Sequence, residues 1–84
     1  MSSSDLQIDW LKCFVAVVDA GSLSGAAHEV NRSQSAVSMQ MKKLEAALGR
    51  PLLNRGPRHL QLTDDGQTLL GYARRMLALH AETQ

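Results

Sequence analysis

Gln34, Ser35, Ser38, Met39 and Lys42 recur at steps of one and three residues, which gathers them on one face of a helix. Their groups (a carboxamide, two hydroxyls, a thioether and an ammonium) exchange hydrogen bonds rather than attack or protonate a substrate. A carboxamide pairs bidentately with N6 and N7 of adenine, a serine hydroxyl serves any base edge, and methionine offers apolar contact to a thymine methyl. The same residue types also make an ordinary solvated helix face, so the pattern takes its meaning from its neighbours. Arg32 and Ser33 stand just before it, and Arg55 and Arg58 bracket Gly56-Pro57 further on. Guanidinium, ammonium and hydroxyl groups in those places suit phosphate oxygens. Lys43 and Arg50 need be no more than solvated charges.

No catalytic or metal-binding set accompanies this face. Cys13 lies in an apolar stretch and reads as a core residue. His28, His59 and His80 have no metal-ligand spacing to one another or to Cys13. Asp64 and Asp65 are adjacent, which suits the start of a helix better than a pair of catalytic carboxylates. There is no glycine-rich phosphate loop. The chain is expected to be no enzyme and to need no cofactor of its own.

The 84 residues suffice for one small domain, and 44% of them are apolar, an ordinary globular fraction. The longest apolar run, Cys13 to Val18, is far too short to span a membrane. Met1-Ser2-Ser3-Ser4-Asp5 has neither the basic nor the apolar region of a signal peptide. A single cysteine forms no internal disulfide, in keeping with a reducing cytoplasm. The net charge of +1, taken alone, argues against a polyanionic partner, but its distribution reverses that. Residues 1–31 carry −3 and residues 64–84 carry −1. Residues 32–63, with Arg32, Lys42, Lys43, Arg50, Arg55 and Arg58 against Glu45, carry +5.

The elements that must position these groups follow from periodicity. Residues 1–7 are expected as a disordered tail. Ile8, Leu11, Phe14, Val15 and Val18 predict a helix over about 8–20, stopped by Gly21. A short second helix starts after Ser22-Leu23-Ser24, with Ser24 the preferred cap, and ends at Asn31 through a positive φ. Ser33 caps a third helix over about 34–48, ended by Gly49, with Val37, Met41, Leu44 and Leu48 on its core face. Two helices so closely joined form a helix-turn-helix. The apolar runs on either side of Gly56-Pro57 predict a β-hairpin over about 52–62, a wing whose tip carries Arg55 and Arg58. Thr63 caps a final helix over 64–84, with Asp64 and Asp65 in its first turn. Its stripe of Leu69, Leu70, Ala73, Met76, Leu77 and His80 exceeds what so small a core needs. That surplus predicts homodimerisation, the alternative being that the helix packs on the first.

Three stretches of the chain resemble one family. Phe14-Val15-Ala16-Val17-Val18 with Gly21-Ser22-Leu23-Ser24 and Ala26-Ala27 resembles the first two helices of LysR-type transcriptional regulators. Ser33-Gln34-Ser35-Ala36-Val37-Ser38 with Met41, Leu44-Glu45 and Leu48-Gly49 resembles their recognition helix. Pro51-Leu52-Leu53-Asn54-Arg55 and Leu62-Thr63-Asp64-Asp65-Gly66 resemble their wing and linker helix. The likeness runs from about Ile8 to Leu79. Many members carry proline where Ser35 stands, arginine where Met39 stands and phenylalanine where Leu53 stands, so guanine reading by an arginine is absent at Met39. The Ser33–Glu45 helix combined with Leu70-Gly71-Tyr72-Ala73-Arg74-Arg75 is similar to the branch of motility and exoenzyme regulators.

The resemblance implies a mainly α fold: a winged helix-turn-helix of three helices and a two-stranded β-wing over 8–63, then a linker and dimerisation helix. It implies sequence-specific binding of double-stranded promoter DNA in a bacterial cytoplasm, as a homodimer and in the whole protein as a tetramer. Gln34, Ser35, Ser38 and Met39 would face bases. Arg32, Ser33, Lys42, Arg55 and Arg58 would hold the backbone. It further implies that a C-terminal domain, absent from these residues, binds a small-molecule effector. A winged-helix protein–protein module is the alternative, but such a module needs no charge at both the third helix and the wing.

Overall fold

The structure, a computed structural model, describes residues 8–55 and 60–82. The elements are α1 (Ile8–Ala20), α2 (Leu23–Glu29), α3 (Gln34–Leu48), β1 (Leu53–Arg55), β2 (Leu60–Leu62) and α4 (Asp64–Glu82). The expected tail over 1–7, the wing-tip residues Gly56, Pro57, Arg58 and His59, and the last two residues lie outside the described residues.

α1 buries Leu11, Cys13, Phe14 and Val17, while Asp9 occupies its first turn. Gly21, at φ 75, ends it and donates its N–H to the Val17 carbonyl at 2.9 Å. The next helix begins two residues earlier than a Ser24 cap would have it. Ser22 is the cap: its backbone is extended and its Oγ accepts from the Gly25 N–H at 3.0 Å. The turn at Gly21 makes Ser22 the last extended residue, and its carbonyl already accepts from Ala26 N–H, so Ser24 falls inside α2. Asn31, at φ 58, closes α2, with Arg32 N–H reaching back to the Ala27 carbonyl at 2.9 Å.

α3 starts at the expected cap, with Ser33 Oγ accepting from Ala36 N–H at 3.1 Å. It ends at Gly49, whose φ is 71. Phe14, Val17, Ala26, Val37, Met41, Leu44 and Ala73 have no exposed surface and form the core with Leu11, Ala27 and Leu52. Removing a large apolar side chain of this kind from water contributes about 1.5–3 kcal/mol. β1 and β2 pair antiparallel in the register Leu53 with Leu62, Asn54 with Gln61 and Arg55 with Leu60.

α4 packs on α1, and this corrects one expectation for its apolar stripe. Ala73 is fully enclosed in the core and offers no surface to a second chain. Helix-on-helix packing takes the middle of the stripe, where the small side chain stands. Leu69, Leu70, Met76 and Leu77 are half-buried against the same core, and His80 is half-buried further along. Tyr72 and Leu79 are left exposed, at 54% and 62%.

Candidate nucleic-acid interface

The core decides which way α3 faces. With Val37, Met41 and Leu44 buried, the other side of the helix must point outward. Gln34, Ser35, Met39 and Lys42 are exposed along it, Met39 to 55%, and Ser38 is half-buried among them. The five predicted residues therefore share one outward strip, weighted toward the N-terminal half of the helix. The first turn of α3 holds no acidic side chain, so its free N–H groups and positive dipole end remain open to an external anion. Ser33 accepts the capping bond through its oxygen and keeps its O–H as a donor. Arg32 is exposed in the turn before it.

On the wing, Arg55 closes β1 in the backbone, while its side chain and all of Arg58 lie outside the described residues. Arg50, read from sequence as a solvated charge, lies 3.2 Å from Asp65 in an exposed ion pair. Such a pair adds little stability.

Two ties carry no clear mark in the sequence. Glu45, which stands there as a charge and as part of the Leu44-Glu45 likeness with no contact assigned to it, accepts at Oε2 from the backbone N–H groups of Leu52 at 2.7 Å and Leu53 at 3.2 Å. Thr63 does more than cap α4. Its O–H donates to the Pro51 carbonyl at 2.8 Å, its Oγ1 accepts from Gly66 N–H at 3.0 Å, and its N–H donates to the Leu52 carbonyl at 3.0 Å. The base of the hairpin is thus bound to α3 on one side and to α4 on the other. The one signal for the first tie is a lone carboxylate in a basic segment, four residues before the helix-stopping Gly49.

Cys13 is buried as expected, and its thiol donates to Gln40 Oε1 at 3.3 Å, joining α1 to α3. Burial pushes the thiol above its ordinary value, with nearby Arg32 partly opposing that shift. Among the described residues, no group of three or more His, Cys, Asp or Glu side chains converges as metal ligands. No helix among them is long and apolar enough to cross a membrane.

Three helices, a helix-turn-helix, a two-stranded wing and an outward polar strip on the third helix define a winged helix-turn-helix module. The chain belongs to the bacterial regulatory helix-turn-helix proteins of the lysR family, whose model matches residues 8–67. It is 46% identical over 77 residues to the HTH-type transcriptional regulator DgdR of Burkholderia cepacia, covering 92% of this chain and 26% of that protein. It is 45% identical over 78 residues to the regulator PecT of Dickeya dadantii (strain 3937), covering 93% and 25%. The chain thus spans about a quarter of the length of these curated relatives. Among solved structures it superposes on the CbnR DBD–DNA complex with a TM-score of 0.88 at 40% identity, covering 93% of this chain and 90% of that one. The BenM DBD/catB site 1 DNA complex gives 0.89 at 33% identity, covering 93% and 88%.

Proposed function

We propose that this chain binds double-stranded DNA in a sequence-specific manner and serves transcription regulation in the bacterial cytoplasm. The outward strip of Gln34, Ser35, Ser38 and Met39, fixed in place by the buried opposite face of α3, is the observation that carries this reading. The N-terminal half of α3 enters the major groove with these four residues at base edges. Gln34 pairs with adenine, and Met39 meets a thymine methyl. Arg32, Ser33 and Lys42 hold phosphates beside α3, and Arg55 and Arg58 do so from the wing, on the minor groove or backbone. Two chains pair through α4, using Leu69, Leu70, Met76, Leu77 and His80 with the exposed Tyr72 and Leu79. Pairing places two recognition helices on one duplex, so the bound site carries two-fold symmetry. The likeness to family members solved with DNA supports this reading.

Selection of bound sequences from a random duplex pool tests it. The expected product is a pair of symmetry-related half-sites, with an adenine whose enrichment vanishes for Gln34→Ala. Recovery of unenriched DNA, or no recovery at low salt, overturns it.

A further inference from the structure

Residues 32–63 hold six cations and a single carboxylate, Glu45. A negative charge in that segment works against phosphate binding, which calls for a compensating role. Its carboxylate takes two backbone N–H groups in succession, those of Leu52 and Leu53, seven and eight residues along the chain. The first of these bonds, at 2.7 Å, lies at the short end of the ordinary N–H···O range. Leu52 is 1% exposed, so its N–H would otherwise be a buried donor in need of a partner. Leu53 is the first residue of β1, and the strand ends two residues later at Arg55. One side chain on α3 therefore sets where the wing strand begins relative to the helix.

We propose that Glu45 is a positioning residue for DNA binding: it holds β1, and with it Arg55, at a fixed offset from the base-facing strip of α3. This rests on the DNA-binding reading above. The useful property of Glu45 is an acceptor of the right reach rather than its charge. Glutamine keeps such an acceptor, aspartate keeps the charge on a side chain one methylene too short, and alanine keeps neither.

The full 84-residue chain carrying Glu45→Gln, Glu45→Asp or Glu45→Ala is compared with the parent in two measurements below its melting temperature. The first, without DNA, is amide hydrogen exchange. Leu52 and Leu53 are expected to exchange faster in Glu45→Asp and Glu45→Ala than in the parent and Glu45→Gln, with Val37 and Met41 unchanged. The second is binding to a short random-sequence duplex as a function of salt. The aspartate and alanine variants are expected to bind about tenfold more weakly. Their dependence of log K on log salt should be shallower by about 0.9 for each phosphate no longer neutralised. The glutamine variant is expected to keep the parent slope and to bind as tightly or more so.

Unchanged exchange at Leu52 and Leu53 in all variants overturns the tie. Wild-type slopes in variants that only melt earlier overturn the positioning role and leave a stabilising one. Tighter binding by both the alanine and glutamine variants, with aspartate unchanged, makes the charge the operative property and also overturns it. A parent chain that binds no duplex defeats the DNA-binding reading and the binding role of Glu45 with it, while the exchange measurement still decides the tie.

Discussion

The Arg74 guanidinium of α4 donates to the Asp19 carboxylate of α1 through both outer nitrogens, at 2.7 and 3.4 Å, across 55 positions of sequence. The pair ties α4 to the last turn of α1, so the proposed dimerisation helix has a defined setting against the helix-turn-helix. The hydrogen bond from Arg74 holds the Asp19 carboxyl below its ordinary value. A depressed carboxyl stabilises the fold above the unfolded aspartate value of about 3.9 and loses that contribution as pH falls through its own lower value. Thermal unfolding of Asp19→Asn should therefore show a small loss of Tm at neutral pH that closes in strong acid. Both side chains are about half exposed, so the loss is small, and added salt reduces it. A gap that widens on acidification contradicts the pairing.

Gly66 and Gly71 are both helical, yet they should respond oppositely to alanine. A Cβ on Gly66 would collide with the backbone carbonyl of Leu52, which cannot swing aside, whereas one on Gly71 meets nothing within 4 Å. Gly66→Ala should cost about 1–3 kcal/mol or more through overpacking where α4 meets the wing base. Gly71→Ala should gain about 0.5–1 kcal/mol by restricting the unfolded chain. Urea denaturation of dilute protein measures both.

Gln34→Ala should weaken binding at the selected site by about 1–3 kcal/mol and relax preference at one base pair, with random duplex bound as before. Equal losses on both DNAs would assign Gln34 to the backbone instead. With about eight phosphates neutralised per dimer, log K against log salt should fall with a slope near −7. A fluorescence-anisotropy titration across a range of salt concentrations reads it, and a flat line contradicts a role for the basic segment.

Cys13 is 2% exposed, and burial raises its thiol above the ordinary value, so the thiolate that reacts is scarce. A chromogenic disulfide reagent at neutral pH should leave the native chain unlabelled and modify it fully in denaturant. Fast labelling of the native chain would place the thiol at the surface.

Leu79 is 62% exposed on α4, outside the core that takes Ala73. Leu79→Glu should shift sedimentation toward monomer at concentrations where the parent is dimeric, while far-UV circular dichroism stays unchanged. A parent chain that sediments as a monomer at every concentration contradicts pairing through α4.

The elements themselves are legible in the sequence because their signals are local. Helical spacing of Ile8, Leu11 and Phe14, Ser33 as a cap, and Gly21, Asn31 and Gly49 as stops each act within one or two turns, and each stands where expected. The basic segment and the outward strip of α3 are legible for the same reason, since the core face of one helix defines its opposite face. Ser22 rather than Ser24 as the cap turns on the chain's direction after Gly21, which composition alone leaves open.

Interactions between elements are another matter. The hold of Glu45 on Leu52 and Leu53, the Cys13–Gln40 bond and the Asp19–Arg74 fork join residues 7 to 55 positions apart. Ala73 is indistinguishable from its neighbours on an apolar stripe until α4 lies on α1. The sequence by itself determined which segments are helical, where they stop and which face of each is apolar, because those follow from steric and capping preferences of near neighbours. Only the tertiary structure decided which polar groups meet and how much of the last helix is left exposed, because both depend on how the helices cross.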